Sequence, residues 1–243
     1  MGVLLAVNGI SGGISLMSTY RYKQIIKAFP FVRTLLKTSY SLSGEDIVVS
    51  QYFKGKTGTY LDIGSGHPIW CSNTYLLYKR GWKGILVDPI KFNGSLSMIR
   101  RRRDKVIWAA ISDESEILKF HQMAPYEYST FDINVAQRLI KAGEARLVET
   151  QEITMVQFNE IEEVKTIDFN QPTFLNIDAE GWDYRILKSI DFKASPFEVV
   201  CIEDFNNPLE QISPIGRLMK INGYTIFAHM GTSSIYARKP SKS

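Results

Sequence analysis

Cysteine is scarce. Cys71 and Cys201 can close at most one disulfide and cannot build a four-cysteine zinc site. That excludes a disulfide-framework secreted fold and fits a cytoplasmic, reducing location. A strong excess of one charge is also missing: 29 Lys and Arg against 25 Asp and Glu leave +4, too little to imply a nucleic-acid partner. Long apolar runs are absent. The most apolar early stretch, residues 3–17, is too short and too rich in glycine to span a bilayer, and no Lys or Arg precedes it as in a signal peptide. Ala6 stands where an N-myristoylation pattern needs Ser or Thr. There is no internal repeat and no Pro/Ser-rich linker. What is there, 44% hydrophobic and 22% charged residues over 243 positions, suits one folded domain with a sizeable core.

Periodicity supplies the organisation. Residues 1–56 read as a leader and a helical cap of the same domain. An amphipathic helix falls over 19–38, and a short one follows Ser43, which can cap it. From residue 57 the pattern changes. TYLDI, GILVD and VIWAAI read as buried strands separated by the helices NTYLLYKRG and 90–103, the mark of a parallel sheet with helices on both faces. A short strand at 115–120 and an irregular aromatic- and hydroxyl-rich insert at 121–134 come next. A helix near 134–142 and an extended stretch near 147–156 follow. TFLNI, a helix near 182–189, FEVVCIE, a helix near 209–221 and a closing antiparallel hairpin complete a mostly parallel, seven-stranded α/β sheet.

The chemistry-bearing residues fall at predicted strand ends. The first strand closes on Asp62-Ile63-Gly64-Ser65-Gly66, where glycine lets backbone approach a ligand. Asp88, followed by Pro89, closes the second strand, where a carboxylate can accept both ribose hydroxyls of a nucleoside. A dinucleotide site favours a third glycine, and that position is Ile69. The pocket therefore suits S-adenosylmethionine, with Asp62 placed for its ammonium group, over a nicotinamide cofactor; an oxidoreductase and a non-catalytic nucleoside-binding scaffold are the alternatives.

The landmarks SGEDIVVSQYF, GTYLDIGSGHPIWCSNTYLLYKRGWKGILVDP and TFLNIDAEGWDYRIL resemble the FkbM-type S-adenosylmethionine-dependent methyltransferases over residues 43–238. Asp88 replaces the Glu usual at that strand end, and either carboxylate can hold a ribose. The resemblance implies a Rossmann-like class I methyltransferase fold and methylation of hydroxyl groups on sugars, glycans or related natural products.

Asp178 and Glu180 follow the fourth parallel strand, and Glu203 and Asp204 the fifth. Three readings stay open for this acidic group. Asp178, Glu203 and Asp204 could hold Mg²⁺ or another divalent cation. Asp178 or Glu180 could be a general base. The acids could simply cap helices. His67 and His229 are further candidate bases, and His121, Tyr126, Tyr128, Ser129 and Thr130 candidate acceptor contacts. Arg100–Arg103 reads as the cationic end of a surface helix, or as a site for an anionic acceptor. The leader could mediate a homo-oligomer or cover the sheet.

Overall fold

The computed structural model describes residues 39–205 and 212–239. The leader over 3–17, the helix expected over 19–38 and the start of the one expected over 209–221 lie outside the described residues. In chain order, α1 (Glu45–Tyr52), β1 (Thr59–Ile63), α2 (Tyr75–Lys79), β2 (Lys83–Val87), α3 (Lys91–Arg100) and β3 (Lys105–Ile107) come first. Then follow β4 (Ala110–Ser112), β5 (Ile117–Ala124), α4 (Ile133–Lys141) and β6 (Arg146–Gln157). β7 (Thr173–Ile177), α5 (Asp183–Ser189), β8 (Val199–Glu203), α6 (Pro214–Ile221), β9 (Tyr224–Met230) and β10 (Ser233–Arg238) complete the chain.

The main sheet has seven strands in the order β3-β2-β1-β7-β8-β10-β9. The first five pair in parallel, and β10 runs antiparallel to both β8 and β9. The mostly parallel sheet with a C-terminal hairpin is the one read from the sequence. Its central strands are buried along nearly their whole length, mostly through apolar side chains, because both faces are covered. Tyr60, Leu86, Phe174, Val199 and Cys201 join Val49 and Phe53 of the α1 segment, Leu77 of α2 and Trp82 in one cluster. Leu61, Ile63, Val87, Leu175 and Ile177 join Ile186 and Leu187 of α5 and Ile215 and Met219 of α6 in the other. Neighbouring residues on one strand thus enter opposite layers.

Three expectations need correction. Ser43 does not cap α1: Gly44 occupies the cap with φ 98°, and the Ser43 N–H instead donates to Glu45 at 2.9 Å. The run VIWAAI is not one strand. Its first part ends in β3 and its second begins β4, which pairs with β6 in a separate three-stranded sheet. The chain leaves the main sheet at the exposed Trp108, so an unbroken apolar run serves two sheets. The insert at 121–134 is also more regular than its composition suggests. β5 continues to Ala124, a single 3₁₀ turn spans Tyr126–Tyr128, and His121 pairs back with Thr130 across the loop.

The four-arginine run contains a fourth correction. Arg101 is buried rather than part of a surface helix end. Its Nε donates to Asp104 at 2.7 Å, with both side chains 0% exposed, and its Nη2 donates to the Tyr60 hydroxyl at 2.7 Å and Thr74 Oγ1 at 2.9 Å. Its neighbours Arg100, Arg102 and Arg103 are exposed, as the charge run suggests.

Candidate functional site

The glycine turn after β1 is held from both sides. Gly64 and Ser65 N–H groups donate to the Val87 carbonyl at 2.9 and 3.2 Å, and Asp178 N–H donates to the Ile63 carbonyl at 3.0 Å. Gly64 has φ +74°, and a Cβ on it would sit 1.9 Å from the Asp178 carbonyl oxygen. No side chain fits there. The turn therefore lies directly against the end of β7, with Asp178 beside it.

Asp88 is buried opposite this turn. Its Oδ2 accepts the Gly66 N–H and its Oδ1 the Ile90 N–H, both at 2.7 Å. Burial nevertheless raises its pKa to about 6, against the pull of those two hydrogen bonds. Each carboxylate oxygen keeps a further lone pair for a ligand hydroxyl. Asn93, buried on the cleft wall beside Asp88, adds its side-chain amide to the groups that favour the Asp88 carboxylate. A buried amide beside a carboxylate with spare acceptor capacity suits a ribose or adenine edge.

These groups line one cleft that encloses about 890 Å³, its solvent mouth included. Gly64, Ser65, Gly66, His67, Asp88, Pro89, Asp178 and Glu180 all face it. Its other wall comes from the short strand β4 and from the loop after β5, with Tyr126 lying over Gly66. Burial raises the Tyr126 pKa, so the phenol stays neutral and can only share its proton by hydrogen bonding. An adjoining cleft shares Ser129, Thr130, Phe131, Glu180 and Trp182 with the first, and adds Tyr128 and Glu203. Trp182 forms the partition, packed edge-on to Phe131 at 5.2 Å and covered by Arg185 at 4.4 Å.

Asp178 lines the first cleft, two residues before Glu180. Desolvation pushes its carboxyl well above the usual carboxylate range, and Glu203, Glu180, Asp183 and Asp62 add repulsion. Glu180 is exposed and lines both clefts, carried on a left-handed backbone with φ 51°. The sequence reading passed over Asp183, which holds this turn: its two oxygens accept the Ala179 and Gly181 N–H groups, each at 3.0 Å. The signal available was its position in the first turn of α5, where a carboxylate meets free backbone donors.

Other candidates lie elsewhere. Asp62 is buried on the Tyr60 face of β1, off the cleft. Its oxygens accept Thr74 Oγ1 at 2.5 Å and Asn176 Nδ2 at 2.9 Å, and Asn73 braces Asn176 in turn. It supports the turn from behind instead of facing a ligand's ammonium group. His229 is on β9 beside Ser234 at 3.0 Å, and His121 pairs with Thr150 at 3.0 Å in the small sheet; neither lines either cleft. His67 does line the cleft, but its Nδ1 already accepts the Ile69 and Trp70 N–H groups at 3.1 and 3.0 Å. Burial and Arg100 lower its pKa to about 4, so it stays neutral.

The proposed cation ligands do not gather. Asp178 faces the first cleft and Glu203 the second, while Asp204 is buried behind them, accepting Ser213 Oγ at 2.5 Å. Among the described residues no group of three His, Cys, Asp or Glu side chains could hold a metal ion. Cys71 and Cys201 are both unbridged. No helix of the described residues is long and apolar enough to cross a membrane.

The sheet order, the glycine turn and the acid closing β2 define an S-adenosylmethionine-dependent methyltransferase. The family model for the methyltransferase FkbM domain matches residues 62–228, and the chain belongs to this family. Among solved structures, the chain is similar to a TehB-like S-adenosylmethionine-dependent methyltransferase from Corynebacterium glutamicum, at 8% identity and TM-score 0.42, over 91% of this chain and 98% of that one. It is also similar to the 1,6-didemethyltoxoflavin-N1-methyltransferase of Burkholderia thailandensis, solved with 1,6-didemethyltoxoflavin and S-adenosylhomocysteine, at 8% identity and TM-score 0.41, over 94% of each chain. No curated protein matches the chain.

Proposed function

We propose that this methyltransferase acts on oxygen, methylating a hydroxyl of a sugar, glycan or related natural product, in the cytoplasm. The observation that carries the reading is Asp178. It is a carboxylate of raised proton affinity, fixed by its own backbone against the cofactor turn and lining the same cleft as the hydroxyl and aromatic groups of Tyr126, Ser129, Thr130, Phe131 and Trp182. An alcohol is a poor nucleophile until its proton leaves, and a base of raised pKa takes that proton more readily than an ordinary carboxylate.

In this reading Gly64, Ser65, Gly66, Asp88 and Pro89 hold the cofactor, with Asn93 as an added donor. The bound cofactor supplies an electrophilic methyl group on a sulfonium. Asp178 accepts the hydroxyl proton at its carboxylate, and Glu180, on the shared rim, orients the acceptor. Trp182 and Phe131 offer flat apolar surface for a sugar face. Because displacement at carbon needs the oxygen in line behind the methyl group, positioning between these walls contributes much of the rate. His67 is not the base: its Nδ1 is taken by two hydrogen bonds and its ring stays neutral, so Nε2 carries the proton and can only donate. Those same two hydrogen bonds take up the Ile69 and Trp70 N–H groups, which further disfavours a diphosphate-bearing nicotinamide cofactor at this turn.

The test is S-adenosylhomocysteine release over a panel of saccharides, other alcohols and amines. Asp178→Asn is expected to lower turnover by about 100-fold or more while cofactor affinity changes little. Activity on amines alone, or an Asp178→Asn enzyme with normal turnover, refutes the proposal.

A further inference from the structure

The outward face of α3 carries an apolar ridge that the methyltransferase chemistry does not use. Phe92 and Ile99 are seven residues apart, so they share one stripe of the helix, and they are 71% and 63% exposed. Met98 flanks them and is also exposed. Trp108, where the chain leaves the main sheet, is exposed too and borders the ridge on its Met98 side: its indole lies so close over Gly94, one turn before Met98, that a Cβ there would meet Nε1 at 2.0 Å. The buried side of the helix runs through Asn93 and Ser97, and Gly94 is buried beneath Trp108. Large side chains are thus turned to solvent while small ones face the protein, the reverse of a helix that only covers a sheet.

The ridge is framed by charge of one sign. Lys91, Arg100, Arg102, Arg103 and Lys105 are all exposed around it. From Pro89 to Ser112 the only acid is Asp104, and Arg101 neutralises it in the interior. Arg103 is engaged with the Tyr78 carbonyl and ring, and Arg100 reaches toward His67, so Lys91, Arg102 and Lys105 are the exposed cations left to flank the apolar strip, with no exposed acid in the same segment. A second copy of this chain is a poor occupant, because self-association would set the cations against each other. Single-stranded nucleic acid would match the charge and could stack on Phe92 and Trp108, but has little use for the aliphatic Met98 and Ile99. A membrane surface of anionic lipid matches both parts. Its headgroups pair with the cations, and its acyl boundary takes up aromatic and aliphatic side chains alike.

We infer that α3 and Trp108 form a peripheral docking surface for anionic lipid bilayers. Phe92, Met98, Ile99 and Trp108 enter the headgroup boundary, and Lys91, Arg102 and Lys105 hold the lipid phosphates. The inference is independent of which acceptor the enzyme methylates.

The experiment is co-flotation of the full chain with vesicles of neutral phosphatidylcholine, and with vesicles containing about one-third phosphatidylglycerol. The expected result is binding to the anionic vesicles only, weakened as salt rises from about 0.1 M to about 0.5 M. Phe92→Ser/Ile99→Ser and, separately, Lys91→Glu/Arg102→Glu should each lower binding at least tenfold, with unfolding midpoint and cofactor affinity unchanged. No binding by the wild-type chain overturns the inference. So does equal binding to neutral vesicles, or insensitivity to Phe92→Ser/Ile99→Ser. Loss of vesicle binding on Leu4→Ser/Leu5→Ser but not on the α3 substitutions would assign the contact to the leader. Tighter binding to a single-stranded oligonucleotide than to anionic vesicles, abolished by the same α3 substitutions, would assign the face to nucleic acid and equally overturn it.

Discussion

Arg101→Met tests how the interior of this protein is held. The substitution keeps an unbranched side chain of similar reach and removes the guanidinium. What remains is Asp104 at zero exposure, accepting the Tyr60 hydroxyl and the Gly84 N–H but with no cation beside it. Thr74, which donates to Asp62, also loses a donor. Removing one partner of a buried ion pair costs about 3–5 kcal/mol, because the other charge stays buried and uncompensated. Against a typical total of about 5–15 kcal/mol, that is a large share of the stability. The assay is urea unfolding of the full chain, reading midpoint and slope. Adding Asp104→Asn to Arg101→Met removes the orphan charge and keeps an oxygen for the Gly84 N–H, so the double variant should recover at least half of the loss. A coupling energy of about 2 kcal/mol or more is expected from the cycle. If Arg101→Met costs less than about 1 kcal/mol, Arg101 behaves like an exposed helix-end cation and the buried-network account is wrong.

Three further outcomes follow from the site and its supports. Asp88 has its pKa raised to about 6, so it is ionised at neutral pH and protonates as pH falls through that value; a bound ribose favours the carboxylate. Cofactor affinity measured by calorimetry should therefore weaken by about tenfold between pH 7.5 and pH 5, and Asp88→Asn should flatten that dependence. Gly64→Ala forces a side chain into a left-handed backbone and against the Asp178 carbonyl; thermal-shift measurements should show a loss of about 2 kcal/mol or more together with loss of cofactor binding. Ser213→Ala removes the cap of α6, whose hydroxyl accepts the Gly216 N–H and donates to buried Asp204; chemical denaturation should report about 1–3 kcal/mol of destabilisation.

The parallel core was legible because each of its strands is an apolar run with a turn signal at its end, and Gly64 and Asp88 fall where such strands stop. The Asp178 and Glu180 pair was legible for the same reason. Asp62 shows where the reading lost resolution. A carboxylate before a glycine turn can face the ligand or the layer behind it. The period of two along β1 places it on the Tyr60 face, while the cleft lies with Ile63 and Gly64. Arg101 was hidden inside a run of like residues. Charge patterning cannot say which of four arginines is buried, although Asn93, Ser97 and Arg101 recur at helical spacing along one buried polar stripe. The cation site failed because strand-end position fixes neither side-chain direction nor depth. Glu203 and Asp204 are adjacent in sequence and so point to different places.

The small sheet carries a consequence for how such an enzyme changes its acceptor. β4, β5 and β6 occupy one continuous stretch of chain between β3 and β7, anchored at both ends in the large sheet. That stretch contributes Phe120, Tyr126 and Ser129–Phe131 to the clefts, while the glycine turn and Asp88 come from chain before it and Asp178 and Glu180 from chain after it. One uninterrupted segment therefore supplies the wall that faces the glycine turn, so exchanging it would reshape the clefts while the turn, Asp88, Asp178 and Glu180 stay encoded in chain on either side of it.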